Sequence, residues 1–92
     1  MITEKIQEAQ ELMATGKSAA WSAGKIAAQM TNNEIEAFAN EEGSRRFVSS
    51  AQRAVTGMNP RTGETYNDFE KTNMRNQIVT MISDLIYAKI TR

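Results

Sequence analysis

The 92-residue sequence contains no cysteine and no histidine, a single proline, and no long hydrophobic run. Without cysteine there can be no disulfide framework, no thiolate metal site and no thiol nucleophile. Without histidine the usual proton shuttle and commonest metal ligand are missing too. These absences exclude most enzyme mechanisms before any motif is sought. No apolar stretch approaches the ~20 residues needed to span a bilayer. The opening Met1-Ile-Thr-Glu-Lys5 is not a signal peptide. The expectation is a cytoplasmic protein that does not engage membranes.

Large apolar side chains are also scarce, with Leu, Ile, Val and Phe numbering 16 of 92. That share is typical of weakly folding or disordered chains, but disorder normally also requires a large net charge, and here the net charge is zero. One domain spanning residues 1–92 is expected. A single core this lean rarely supplies more than ~3 to 5 kcal/mol, so completion by a second copy or a partner is expected, and a homo-oligomer is the default.

Zero net charge hides a segregation. Residues 1–42 carry Lys5, Lys17 and Lys25 against seven glutamates, a net −4. Residues 43–92 carry all six arginines, Lys71 and Lys89 against Glu64, Asp68, Glu70 and Asp84, a net +4. The change is sharpest at Gly43, where Glu34, Glu36, Glu41 and Glu42 give way to Arg45, Arg46, Arg53 and Arg61. Fields divided in this way favour oriented association.

The apolar residues recur at helical spacing almost throughout. Thr3 is a candidate cap for a first helix whose stripe is Ile2, Ile6, Ala9 and Met13 with Leu12 beside it, ending at Thr15-Gly16. Ser18 opens a second helix to about Met30, in which Ala20, Gly24 and Ala28 form a row of small side chains that admits another helix backbone. Trp21 stands beside that row and reads first as a core anchor, second as an interface residue. Thr31-Asn-Asn-Glu34 is a capping box for a short helix with Ile35, Phe38 and Ala39 inward, ending at Gly43. Ser44 caps a fourth helix with Phe47, Val48, Ala51, Ala54 and Val55 inward and Arg45, Arg46, Ser49, Ser50 and Arg53 outward. The connection from Gly57 to Tyr66 holds the turn formers Asn59-Pro60 and Thr62-Gly63 and predicts a tight reversal or short hairpin with Arg61 at its tip. Asn67 and Glu70 repeat the cap pattern and start a last helix to Ile90. From Ile78 onward its apolar residues lie on almost every side of the wheel, which predicts a helix enclosed by the others. The fold class is therefore all-α, a small bundle of four or five helices around a long central C-terminal helix.

No constellation for chemistry emerges. Glu34 and Glu36, Glu41 and Glu42, and Asp68 and Glu70 are each one or two residues apart, a spacing at which helical side chains do not face each other. There is no phosphate-binding glycine loop, no HExxH and no calcium-binding loop. No catalytic residue, metal site or cofactor is expected, and the chain reads as a non-enzyme.

Three binding readings follow. In the first, the chain is a small accessory or inhibitor protein, of the kind phages and mobile elements carry. It self-associates and binds a protein partner through Arg45, Arg46, Arg53 and Arg61, with Tyr66 or Trp21 as apolar anchor. In the second, Ala39 followed four residues later by Gly43 is the spacing of a helix-turn-helix, with Ser44, Arg45, Arg46, Ser49, Ser50 and Arg53 facing the major groove of DNA. Ser49 and Gln52 fall where that motif places apolar residues, and the neighbouring glutamates oppose a phosphate backbone. In the third, Gly43-Ser44-Arg45-Arg46 cradles a phosphorylated small molecule or nucleotide with free amides and guanidinium forks. The competing structural use of the arginines is pairing with Glu41, Glu42 or another subunit's glutamates.

Overall fold

The computed structural model describes residues 1–92 and contains five helices: α1 (Ile2–Ala14), α2 (Ala19–Ala28), α3 (Asn32–Glu42), α4 (Arg45–Thr56) and α5 (Asp68–Ile90). Four of the five starts are set by the local chemistry read from the sequence. Ser18 and Ser44 accept the backbone N–H of Trp21 and Phe47. Thr31 with Glu34 and Asn67 with Glu70 form complete capping boxes. The exception is α1, whose cap position is Met1 without a side-chain bond, so Thr3 lies inside the helix and caps nothing. Gly43 and Gly57 end α3 and α4 in the left-handed conformation, at φ 86° and 66°.

The core is built from helix faces converging on the second half of α5. Ile78, Met81, Ile82 and Ile86 of α5 are buried with Ala23, Ile26 and Ala27 of α2, Ile35, Phe38 and Ala39 of α3, Ala51 of α4, Ala9 of α1, and Met30. Helix α5 packs against α1, α2 and α4, while α3 packs on α4 and touches α1. The Phe38 and Phe47 rings stack at 6.1 Å between centroids and hold α3 to α4.

The long helix is central but not enclosed. Tyr87 and Ala88 face solvent, Phe69 is 75% exposed, and nearly all of the first turns from Asp68 to Gln77 lie outside the core. The apolar residues around the wheel resolve into one buried face and one open face, because the neighbours cover only the side carrying Ile78, Ile82 and Ile86. The molecule is accordingly long, 44 × 25 × 18 Å. Its radius of gyration of 13.6 Å exceeds the ~12 Å of a compact chain of this length.

Trp21 is not a core anchor: it is 45% exposed, with the Lys17 and Lys25 ammonium groups 5.1 and 6.0 Å from its ring. It stands on the outer side of α2, since the residues turned inward are Ser22, Ala23, Ile26 and Ala27. The small-residue row is only partly used. Gly24 approaches Ser83 of α5, its missing Cβ 3.9 Å from that hydroxyl oxygen, whereas Ala20 and Ala28 are exposed.

Two polar clasps join distant segments. Lys5, only 12% exposed, pairs with Glu34 at 2.6 Å and Glu8 at 3.1 Å, and the amino group of Met1 pairs with Glu41 at 3.1 Å, tying α1 to α3. Arg75 donates to the Met30 carbonyl at 2.6 Å and to the Asn32 side chain, tying α5 to the turn between α2 and α3.

Candidate functional site

The outward side of α4 and the hairpin that follows it form the most basic part of the surface. Along α4, Arg45, Ser49, Gln52 and Thr56 recur at spacings of four, three and four, which places them on one line of the helix. Arg45, Gln52 and Thr56 are exposed and Ser49 is half-buried. Arg46 and Arg53, seven residues apart, share one flank of that line; Arg46 is exposed and Arg53 half-buried.

The connection from Gly57 to Tyr66 is the expected short hairpin. Met58 and Thr65 form an antiparallel bridge, Asn59 N–H donates to the Glu64 carbonyl at 2.8 Å, and Tyr66 N–H donates to the Gly57 carbonyl at 2.8 Å. The Asn59 side chain accepts the Arg61 N–H at 2.9 Å, so asparagine closes the turn and Arg61 stands exposed at the tip. Tyr66, at the base, is half-buried.

Charge pairing separates the acids from the arginines. All four ion pairs of the chain involve Lys5 or the Met1 amino group. Lys5 holds the Glu34 carboxyl below the usual carboxylate range, helped by the Thr31 backbone N–H. The Met1 amino group does the same for Glu41, helped by the Ile2 N–H. The hydrogen bond with Glu34 raises the Lys5 pKa against the opposing effect of its burial. No arginine lies within 4.0 Å of a carboxylate, so the pairing of Arg45 and Arg46 with Glu41 or Glu42 does not occur. Of the six, only Arg75 makes side-chain hydrogen bonds.

Several expected contact residues are placed differently. Ser50 is not outward: it is 4% exposed, on the inner side of α4 beside Ala51, and its hydroxyl has no partner. Arg53 is only partly outward, with a buried, unpartnered Nε. The reason is that α4 is turned about its axis to bring Phe47 onto Phe38, which swings Ser50 inward and leaves Ser49 and Gln52 toward solvent. Ala39 is buried and Gly43 makes a left-handed turn, as the helix-turn-helix spacing requires, but the burial phase of α4 departs from that motif.

The phosphate cradle is occupied in part from within, at Ser44. The Glu42 carboxylate accepts the Ser44 N–H at 3.1 Å and the Ser44 hydroxyl at 2.7 Å, putting a negative charge where the anion was expected. Trp21 is also separated from the arginines, because α2 packs on α1 and α5 whereas α4 packs on α3 and α5.

One feature was not foreseen, a cleft of about 370 Å³ between α3, the end of α4 and the hairpin, lined by Glu36, Gln52 and Thr56 and by Met58, Asn59, Pro60 and Gly63. The turn formers announced the hairpin, but nothing local in the sequence places it beside Glu36, some twenty residues earlier. No group of three or more acidic side chains lies close enough together to hold a metal ion, and no helix is long and apolar enough to cross a membrane.

Fold and surface together define a small five-helix bundle presenting an unpaired arginine face beside a short hairpin. Compared with known proteins, the chain matches no family model, no curated protein and no solved structure.

Proposed function

We propose that this chain is a non-enzymatic interaction protein that self-associates and binds a macromolecular partner, a protein with an acidic surface, through Arg45, Arg46, Arg53 and Arg61. The observation that carries the reading is that these four guanidinium groups have no carboxylate within 4.0 Å in their own fold, while Glu34 and Glu41 are held by Lys5 and Met1. Arginine forks displayed on a helix and a hairpin tip are pre-organised for bidentate contact with carboxylates. Met58 at 42% exposure and Pro60 supply apolar contact beside them. The accessory or inhibitor role belongs to this reading, because occluding or bridging a partner needs a contact face and no catalytic set.

The DNA reading loses support from the inward turn of Ser50 and the phase of α4. The phosphorylated-ligand reading at Gly43–Arg46 loses support from Glu42, whose carboxylate already takes the Ser44 N–H and hydroxyl and sets a negative charge there.

The test combines Arg45→Ala, Arg46→Ala and Arg61→Ala, all exposed positions whose truncation leaves the core intact. A stoichiometric partner captured by the wild-type chain from its native host should bind the triple variant at least about tenfold more weakly, as expected when interface arginines are removed. Equal affinity would overturn the proposal. A gel shift at low salt that is abolished by the same substitutions would instead support DNA binding.

A further inference from the structure

We infer that a second copy of this chain docks on the open side of α2 and α5, related by a two-fold axis, with Trp21 of each copy against Tyr87 of the other. The contact gives a location to the self-association proposed above, on which it rests, and leaves the arginine face free for the acidic partner.

Two contacts fix the register of the helix pair. Arg75 of α5 donates to the carbonyl of Met30, just past the end of α2, at 2.6 Å. Further along, the Ser83 hydroxyl oxygen lies 3.9 Å from where a Cβ of Gly24 would stand. Rising numbers on α5 therefore meet falling numbers on α2, so the helices are antiparallel, and one more turn brings Ala20 level with Tyr87 and Trp21 level with Ile86. The buried residues are Ser22, Ala23, Ile26 and Ala27 on α2 and Ile78, Met81, Ile82 and Ile86 on α5. Trp21 and Tyr87 thus project from the side of the pair turned away from the core, each 45% exposed. Phe69 lies on the same line of α5 as Tyr87, about five turns away. Three of the chain's four exposed large hydrophobic side chains are therefore on this side, where a helix face left in solvent is normally polar.

The same side carries charges of both signs. Lys17 and Lys25 flank Trp21 on α2, their ammonium groups 5.1 and 6.0 Å from its ring, and Asp84 stands exposed on α5 close to one turn before Tyr87. None of the three belongs to an ion pair. A two-fold axis parallel to the helices lays α2 of one copy over α5 of the other without changing their level. Trp21 then meets Tyr87 of the second copy, and Lys25 comes within a turn of its Asp84. Because the contact is isologous it occurs twice, gathering four aromatic rings at the centre with charges at the rim. Ala20, Gly24 and Ala28 put no long side chain along the seam, so the rings of the second copy can lie low against the helix pair. A partner surface of one sign would satisfy Lys25 or Asp84 and repel the other, whereas a copy of this face satisfies both. It also adds aromatic burial to a core of only 13 hydrophobic residues.

The test is sedimentation velocity of the full chain over a range of concentrations, with the emission of Trp21, its one tryptophan, followed on the same samples. The wild type should dimerise as concentration rises, and the emission should shift to the red on dilution as the indole returns to water. Trp21→Ala and Tyr87→Ala, both at exposed positions, should each raise the dimer dissociation constant at least about tenfold, as expected of aromatic anchors at an interface centre. At low ionic strength Lys25→Glu and Asp84→Lys should each weaken the dimer, and the two together should restore it, because the exchanged charges meet again across the axis. Loss of folding would give no such restoration. The dimer should persist at about 1 M salt, where contacts between exposed charges are screened. A wild type that stays monomeric at every concentration would overturn this contact together with the self-association on which it rests. A dimer that both aromatic truncations leave unchanged would overturn this contact alone, and its loss on Arg45→Ala with Arg46→Ala would move the self-association to the arginine face.

Discussion

Ser50 and Ser22 carry buried hydroxyls with no hydrogen-bond partner. Removing such a group removes an uncompensated desolvation cost, whereas removing a paired one exposes its partner. Ser50→Ala is therefore expected to leave stability unchanged or raise it by up to about 1 kcal/mol, read as the thermal midpoint. A fall larger than that would mean the hydroxyl has a partner after all. Glu34 behaves in the opposite way. Its carboxyl pKa is lowered first by Lys5, so its contribution to folding is present above the ordinary carboxylate value and is lost as pH falls through the lowered one. The Lys5 pKa is raised, so its contribution is present below the ordinary lysine value and is lost only as pH rises through the raised one. Both hold at neutral pH. Glu34→Gln keeps a capping-box side chain but removes the ion pair, and should cost about 1 to 2 kcal/mol at pH 7 in urea denaturation. The difference from wild type should shrink as pH falls through the lowered carboxyl value, where the wild-type carboxyl is itself protonated. A gap that stays the same size down to the acid limit of the titration would contradict the assignment.

At the scale of elements, the decisive features are helix ends. Starts at Ser18, Thr31, Ser44 and Asn67 were legible because a cap is a contact between residues three apart, written entirely in the local sequence. Gly57 does more than end α4. Its left-handed φ of 66° disfavours any residue with a Cβ, and such an atom would stand 3.0 Å from the flexible end of Lys71. Gly57→Ala should cost about 1 kcal/mol or more, and adding Lys71→Ala should recover only the steric part, because the backbone strain remains. Full recovery in the double variant, measured by the denaturation midpoint, would contradict this account. The rotation of α4 was not legible: Phe47, Val48, Ala51, Ala54 and Val55 are consistent with several inward directions, and only the stacking of Phe47 on Phe38 selects the one that buries Ser50.

For the whole molecule, the slim core and the elongated shape belong together. Thirteen hydrophobic residues are buried, and the outer face of α5 leaves Phe69 and Tyr87 in solvent. Self-association in which exposed glutamates of residues 1–42 in one copy meet the arginine face of another should weaken with salt, since charges exposed to solvent are screened within about 3 Å at 1 M. Light scattering at low ionic strength and at about 1 M should then show a mass that falls toward the monomer. A mass independent of salt would point to an apolar contact through α5 instead.

The sequence by itself determined the helices, the caps of all but α1, and the hairpin, because each depends on neighbours within a few residues. It also determined the uneven distribution of charge along the chain. Only the tertiary structure decided which face of each helix is turned inward and which charges find partners. It exposed Trp21, buried Ser50, turned the Glu42 carboxylate onto Ser44 in the expected anion cradle, and set Glu36 opposite the hairpin. Those outcomes depend on contacts between segments far apart in the chain, and apolar spacing on one helix carries no information about which other helix will cover it.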